Sequence, residues 1–136
     1  MRRIARIIAE ERFRKPIETT GELVEIIKKA VPSRYRTKKI HFATRTFQAL
    51  RIAVNDELGA LKEGLEKGFQ ALAPSGRLAV IAFHSLEDRI VKDSFIDFKK
   101  RGLGTIITPK PVMSSEAEVL LNKRSKGAKL RIFEKK

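Results

Sequence analysis

The run "GRLAVIAFHSLEDRIVK" (76–92) constrains the fold more than any other stretch. Residues 77–83 are mostly apolar and suit a central strand buried on both faces. Pro74, Ser75 and Gly76 form a turn before them, and His84, Ser85, Glu87, Asp88 and Arg89 form a polar cluster after them. A helix is expected over 86–100. Helix, turn, buried strand, helix and strand in succession are the pattern of an open α/β sheet. Ligands of such sheets collect beyond the carboxyl ends of the strands, where His84 and Ser85 stand. Both residues also have plain structural readings. Ser85 can cap the following helix, with Asp88 at the third helical position and Glu87 favoured by the helix dipole. His84 can be a packed histidine.

The rest of the chain reads as helices before this strand and strands after it. Residues 3–14 are amphipathic, with Ile4, Ile7 and Ile8 among charges. Thr19 and Glu22 have the spacing of a capping box, Leu23, Ile26, Ile27 and Ala30 share one face, and Pro32 ends that helix. Residues 33–41 have no period and read as a basic loop holding Arg34, Tyr35, Arg36, Lys38 and Lys39. Phe47, Leu50, Val54, Leu58, Leu61 and Leu65 recur at steps of three and four and predict a core-facing stripe. Gly59, Gly64 and Gly68 weaken a single rod there, so two successive helices are expected. Residues 104–108 and 128–135 predict two more strands. The polar stretch between them reads as a loop, with a short helix at 115–121.

Thirty Lys and Arg against 16 Asp and Glu leave a net charge of +14, which points to a polyanionic partner, most simply nucleic acid. Arg45, Gln48, Arg51 and Asn55 form a polar stripe on the helix that also carries the apolar one. Forked guanidinium and amide groups suit phosphate oxygens and base edges better than a mixed Lys/Glu face does. The plain alternative is an ordinary solvated face. The chain has no cysteine, hence no disulfide and no thiolate metal site, which fits a reducing, cytoplasmic setting. No metal site is expected. No apolar run approaches a membrane span.

Three segments, 44–58, 76–92 and 122–135, closely resemble the RsmH family, also called MraW, and 15–32 fits as well. The resemblance implies an S-adenosylmethionine-dependent methyltransferase acting on N4 of a cytidine in the decoding region of 16S rRNA. It implies an α/β fold, here the C-terminal part of a doubly wound, Rossmann-like methyltransferase sheet with part of a helical insert domain. Residues 1–40 would be the tail of the insert, and 41–136 the C-terminal half of the methyltransferase domain. The sequence departs from the family pattern at Phe42, Ser75, Ala82, Lys123 and Gly127. Ser75 stands where the first glycine of a Gly-Gly turn is usual.

The family's glycine-rich loop and ribose-binding acid have no counterpart here. The one Gly-x-Gly, Gly102 to Gly104, precedes a strand instead of opening a helix. Cofactor-binding residues are therefore expected outside this chain, which alone is expected to be inactive. By the resemblance, His84 and Ser85 lie beside the target base with Glu87, Asp88 and Arg89 behind them. The proton acceptor is His84, a backbone carbonyl or a carboxylate elsewhere. Arg45, Gln48, Arg51, Asn55, Lys123, Arg124, Lys126 and Lys129 are the expected RNA contacts, and small-subunit rRNA or the 30S subunit the expected partner. Self-association, or pairing with an N-terminal half in trans, is expected as well. The alternative is a non-catalytic, basic RNA-binding protein or decayed fragment.

Overall fold

The computed structural model describes residues 2–36 and 40–136. Met1, Lys38 and Lys39 lie outside the described residues. The chain divides into two compact units, Met1–Asn55 and Asp56–Lys136.

The first unit holds α1 (Arg2–Arg14), α2 (Thr20–Ala30), a single 3-10 turn (Ser33–Tyr35) and α3 (Thr44–Asn55). The capping box at α2 forms as its spacing predicts. Thr19 Oγ1 accepts from the Glu22 N–H at 3.1 Å, and Glu22 accepts from the N–H groups of Glu18 (2.8 Å) and Thr19 (3.1 Å). Lys15 Nζ also donates to Glu22 at 2.9 Å. This Lys15 bond first, then the two backbone bonds, holds the Glu22 carboxyl down at about 2. Ile26, Ile27 and Ala30 are the buried face of α2. Arg36 is not a free loop cation. Its guanidinium donates to the Val31 and Lys28 carbonyls at 2.9 and 2.7 Å and so covers the end of α2.

The expected apolar stripe splits. Its α3 part is not core: Phe47 is half-buried, Leu50 exposed and Val54 83% exposed. Its later part is core-facing, with Leu65 buried and Leu61 packed against the buried cluster. The break between helices also falls elsewhere than at the glycines. Asp56 adopts a left-handed conformation (φ 46), one of the few non-glycine residues to tolerate it, and separates α3 from α4 (Glu57–Ala71). Gly59, Gly64 and Gly68 all lie inside α4.

The second unit continues with β1 (Arg77–Ala82), α5 (Ser85–Lys100), β2 (Gly104–Ile106), β3 (Val112–Met113), α6 (Glu116–Leu121), a 3-10 segment (Lys123–Gly127) and β4 (Lys129–Lys135). The last strand enters the middle of the sheet. The order is β1-β4-β2, with β3 also on β4, and every pairing is antiparallel. Leu78, Val80, Phe133 and Ile106 point to one face, where Leu65 and Phe69 of α4 and Val91, Phe95 and Phe98 of α5 close the core. Four phenylalanines form its centre, with ring centroids 4.5 Å apart for Phe69–Phe98 and 5.4 Å for Phe95–Phe133.

The sheet is thus α/β with helices on one face. Ile81 is 58% exposed, and β1 stands at the edge of the four-stranded sheet. Val112, opposite Leu130 as Ile81 is, is also exposed on that face. Apolar side chains on both faces of β1 call for a second covering layer, which the described residues of this unit do not supply.

Ser75, in the turn before β1, has φ 63 and donates its N–H to the Lys135 carbonyl at 3.0 Å. A left-handed non-glycine residue costs about 1–2 kcal/mol, and glycine returns about 0.5–1 kcal/mol of that in chain entropy. Ser75→Gly is expected to stabilise by about 0.5–1 kcal/mol, raising the melting midpoint by roughly 2–8 °C. A calorimetric scan checks this; an unchanged or lowered midpoint would show that the turn carries no strain.

Candidate functional site

The junction of β1 and α5 gathers the polar cluster, and the first position to settle is the cap. His84, not Ser85, is the N-cap of α5. His84 has extended dihedrals (φ −141, ψ 166), and its Nδ1 accepts from the Glu87 N–H at 3.3 Å. Imidazole Nδ1 lies as far from the backbone as the Oδ1 of asparagine, so the ring reaches the same amide. Glu87 returns the bond, its Oε2 accepting from the N–H groups of Phe83 (2.8 Å) and His84 (3.2 Å). Glu87, and not Asp88, is therefore the third helical residue. Ser85 becomes the first residue of α5 and is exposed.

The cap sets the chemistry of the ring. With Nδ1 accepting, the neutral imidazole carries its proton on Nε2. That nitrogen is buried, has no hydrogen-bond partner among the described residues, and lies 3.3 Å from Glu87 Oε1. Glu57, in the first turn of α4, brings a second carboxylate, so that Glu57, His84 and Glu87 offer ligand atoms within 4.8 Å of one another. Two carboxylates and an imidazole are a donor set for zinc. A metal, however, would need the Nε2 lone pair and a proton on Nδ1, where the Glu87 N–H already points. The cap thus opposes metal binding through Nε2.

Asp88 faces β4. Its Oδ1 accepts from Arg131 Nε at 2.7 Å and its Oδ2 from Lys129 Nζ at 3.2 Å. Arg131, 7% exposed, sits on the covered face of β4. The Arg131 bond first, then the Lys129 bond, outweighs desolvation and holds the Asp88 carboxyl below its ordinary range. Arg131 was not among the expected site residues. Its signal was available, because Lys129, Arg131 and Phe133 share one face of a strand, and a charge beside a core phenylalanine needs a partner. Arg89 is exposed on α5. Lys123, Arg124 and Lys126 are exposed on the 3-10 segment, which Asn122 caps by accepting from the Arg124 N–H at 3.1 Å.

In the first unit the expected stripe lies on α3. Arg45, Arg51 and Asn55 are exposed and Gln48 is half-buried. Gln48 and Arg51 share a concave surface with His41, Thr44 and Phe47, which Arg45 and Asn55 do not line.

No cofactor cradle appears at the Gly-x-Gly. Gly102 (φ 73) follows the end of α5, and a side chain at Gly104 would meet the Glu134 carbonyl at 2.0 Å. Both glycines thus serve the turn and the strand packing, and these residues do not fit S-adenosylmethionine.

The model of the MraW methylase family matches residues 1–136. Among curated proteins, the chain is 48% identical to the ribosomal RNA small subunit methyltransferase H of Brevibacillus brevis and 52% identical to that of Heliobacterium modesticaldum. It is 53% identical to that of Symbiobacterium thermophilum. The first two alignments cover 98% of this chain and 48% of the relative, the third 95% and 45%. The chain spans about half the length of the curated relatives it matches. Matched by the family model over its whole length, the chain belongs to the MraW methylase family.

Proposed function

We propose that this chain serves in an S-adenosylmethionine-dependent rRNA methyltransferase that modifies N4 of a cytidine in the decoding region of 16S rRNA. What carries the reading is the family match along the entire chain. S-adenosylmethionine supplies the methyl group when bound. In this reading its binding falls to a portion outside this chain, since Gly102 and Gly104 serve a turn and strand packing. Residues 1–40 are then the tail of a helical insert and 41–136 the returning part of a doubly wound sheet. A second layer on the Ile81 face would complete that sheet.

This chain's share of the work is binding and positioning. The cytosine amino lone pair is delocalised into the ring, so acceptors must hold its N–H groups while the nitrogen is aligned. In this reading Ser85, exposed at the carboxyl end of β1, lies beside the base. His84 and Glu87 fix the first turn of α5 through their reciprocal cap, and Asp88 ties that turn to β4. The proton acceptor is His84, a backbone carbonyl or a carboxylate outside this chain. Arg45, Gln48, Arg51, Asn55, Lys123, Arg124 and Lys126 hold rRNA in the 30S subunit, while Lys129 is spent largely on Asp88.

The test is a single-chain fusion of this chain to the N-terminal portion of the Heliobacterium modesticaldum relative, incubated with undermethylated 30S subunits. Nucleoside mass spectrometry is expected to detect N4-methylcytidine with the fusion and none with this chain alone. In sedimentation the fusion is expected to be monomeric and the chain alone to self-associate through the β1 edge and the open face. Micromolar S-adenosylmethionine binding by the chain alone, or methylation at another base by the fusion, would overturn the reading.

A further inference from the structure

The concave surface on α3 has a composition that the charge of the chain does not explain. His41, Thr44, Phe47, Gln48 and Arg51 recur at helical spacing and line a cavity of about 720 Å³. That is within the roughly 300–1,000 Å³ of small-ligand sites. None of the lining residues is acidic. Two of the five are aromatic. The His41 ring stacks on Phe42 with centroids 4.4 Å apart and planes 29° apart, and its Nδ1 accepts from the Ala43 N–H at 3.3 Å. The ring is thereby held in one orientation. Phe47, expected in the core, is half-buried and lines this cavity instead.

A surface that met only phosphates would need cations and no rings. A pocket for an apolar group would not be lined by Arg51, Gln48 and Thr44. A flat π-face with an attached anion satisfies both parts. A nucleotide within a duplex cannot present it, because both faces of its base are already stacked. We propose that this cavity takes one unstacked nucleotide of a single-stranded RNA. The base lies against Phe47 and His41, its polar edge meets the Gln48 amide, and its phosphate meets Arg51 and the Thr44 hydroxyl. The inference rests on the reading of the chain as an rRNA-binding half enzyme and adds to it how the strand is gripped: by stacking on α3 as well as by charge.

The experiment is fluorescence anisotropy of the full chain. The probes are a short unstructured RNA and a hairpin duplex of equal phosphate number, measured across a salt series. The single strand is expected to bind more tightly. Phe47→Leu is expected to weaken single-strand binding roughly 5- to 150-fold, the range for loss of one base–aromatic stack, with an unchanged salt slope. Phe47→Tyr, which keeps the ring, is expected to bind as the parent does. Arg51→Ala is expected to flatten the slope by about 0.7, as for one phosphate on a single strand. Far-UV circular dichroism verifies that each variant is folded. A folded Phe47→Leu variant that binds like the parent overturns the pocket and leaves the rRNA reading standing, whereas a parent that binds no RNA removes both. Competition by an acidic peptide as effective as the RNA at equal charge also overturns the pocket, making the face a general polyanion surface.

Discussion

Phe133→Ala is expected to destabilise the Asp56–Lys136 unit by about 3–5 kcal/mol, the cost of emptying a phenylalanine site in a close-packed core. Phe133 is fully buried on the central strand β4, with ring centroids 5.4 Å from Phe95, 5.7 Å from Phe98 and 6.0 Å from Phe69. It therefore joins both helices to the sheet. Little else can collapse into the gap, since the neighbouring rings are held by α4 and α5. Domains of this size have about 5–15 kcal/mol in total, and within this unit α4 and α5 pack on one face of the sheet. The variant is expected to be largely unfolded near 40 °C, with urea melts followed by circular dichroism as the measurement. A loss below about 1.5 kcal/mol, typical of a volume-conserving swap, would mean that the aromatic cluster is not the core.

Asp88→Asn is expected to cost about 3–5 kcal/mol, because it leaves Arg131 buried without its counter-charge. The side chains are 15% and 9% exposed, and the bond between them is 2.7 Å, so solvent screens little of the interaction. Lys129, 30% exposed, can turn toward water. Arg131 has no such outlet beside Phe133. The pair also sets a pH dependence. The folded carboxyl of Asp88 is depressed, so its contribution is present above the ordinary aspartate range near pH 4. It is lost as the pH falls through the folded value. Parent stability should decline on acidification, and Asp88→Asn should lack that part of the decline. The decisive comparison is Asp88→Leu combined with Arg131→Met. If removing both charges restores most of the loss from Asp88→Asn, the cost was the stranded cation. If the double variant is as unstable as the single one, the pair itself supplies the net stability.

Local features of this chain were legible without a structure. The Thr19–Glu22 box, the face of α2, the strand after Ser75, the helix that follows it and the final strand all depend on neighbours within a turn or a few residues. Spacing and capping chemistry report these directly. The helix that became α3 was legible in the same way. One local reading slipped by a single residue. His84 and Ser85 both carry an acceptor, and only the extended backbone at 84 decides that the imidazole takes the Glu87 amide.

What tertiary structure alone decided is every relation across long loops. The last strand enters between β1 and β2, and Arg131 meets Asp88 across 43 positions. Neither follows from composition or period, because strand order is chosen by which faces close one core, not by any propensity of the strands. The apolar stripe makes the same point. Phe47, Leu50 and Val54 have the same spacing as Leu58, Leu61 and Leu65, yet Leu61 and Leu65 join the core of the second unit while Leu50 and Val54 are exposed. Periodicity states which residues share a face; burial depends on what lies opposite that face.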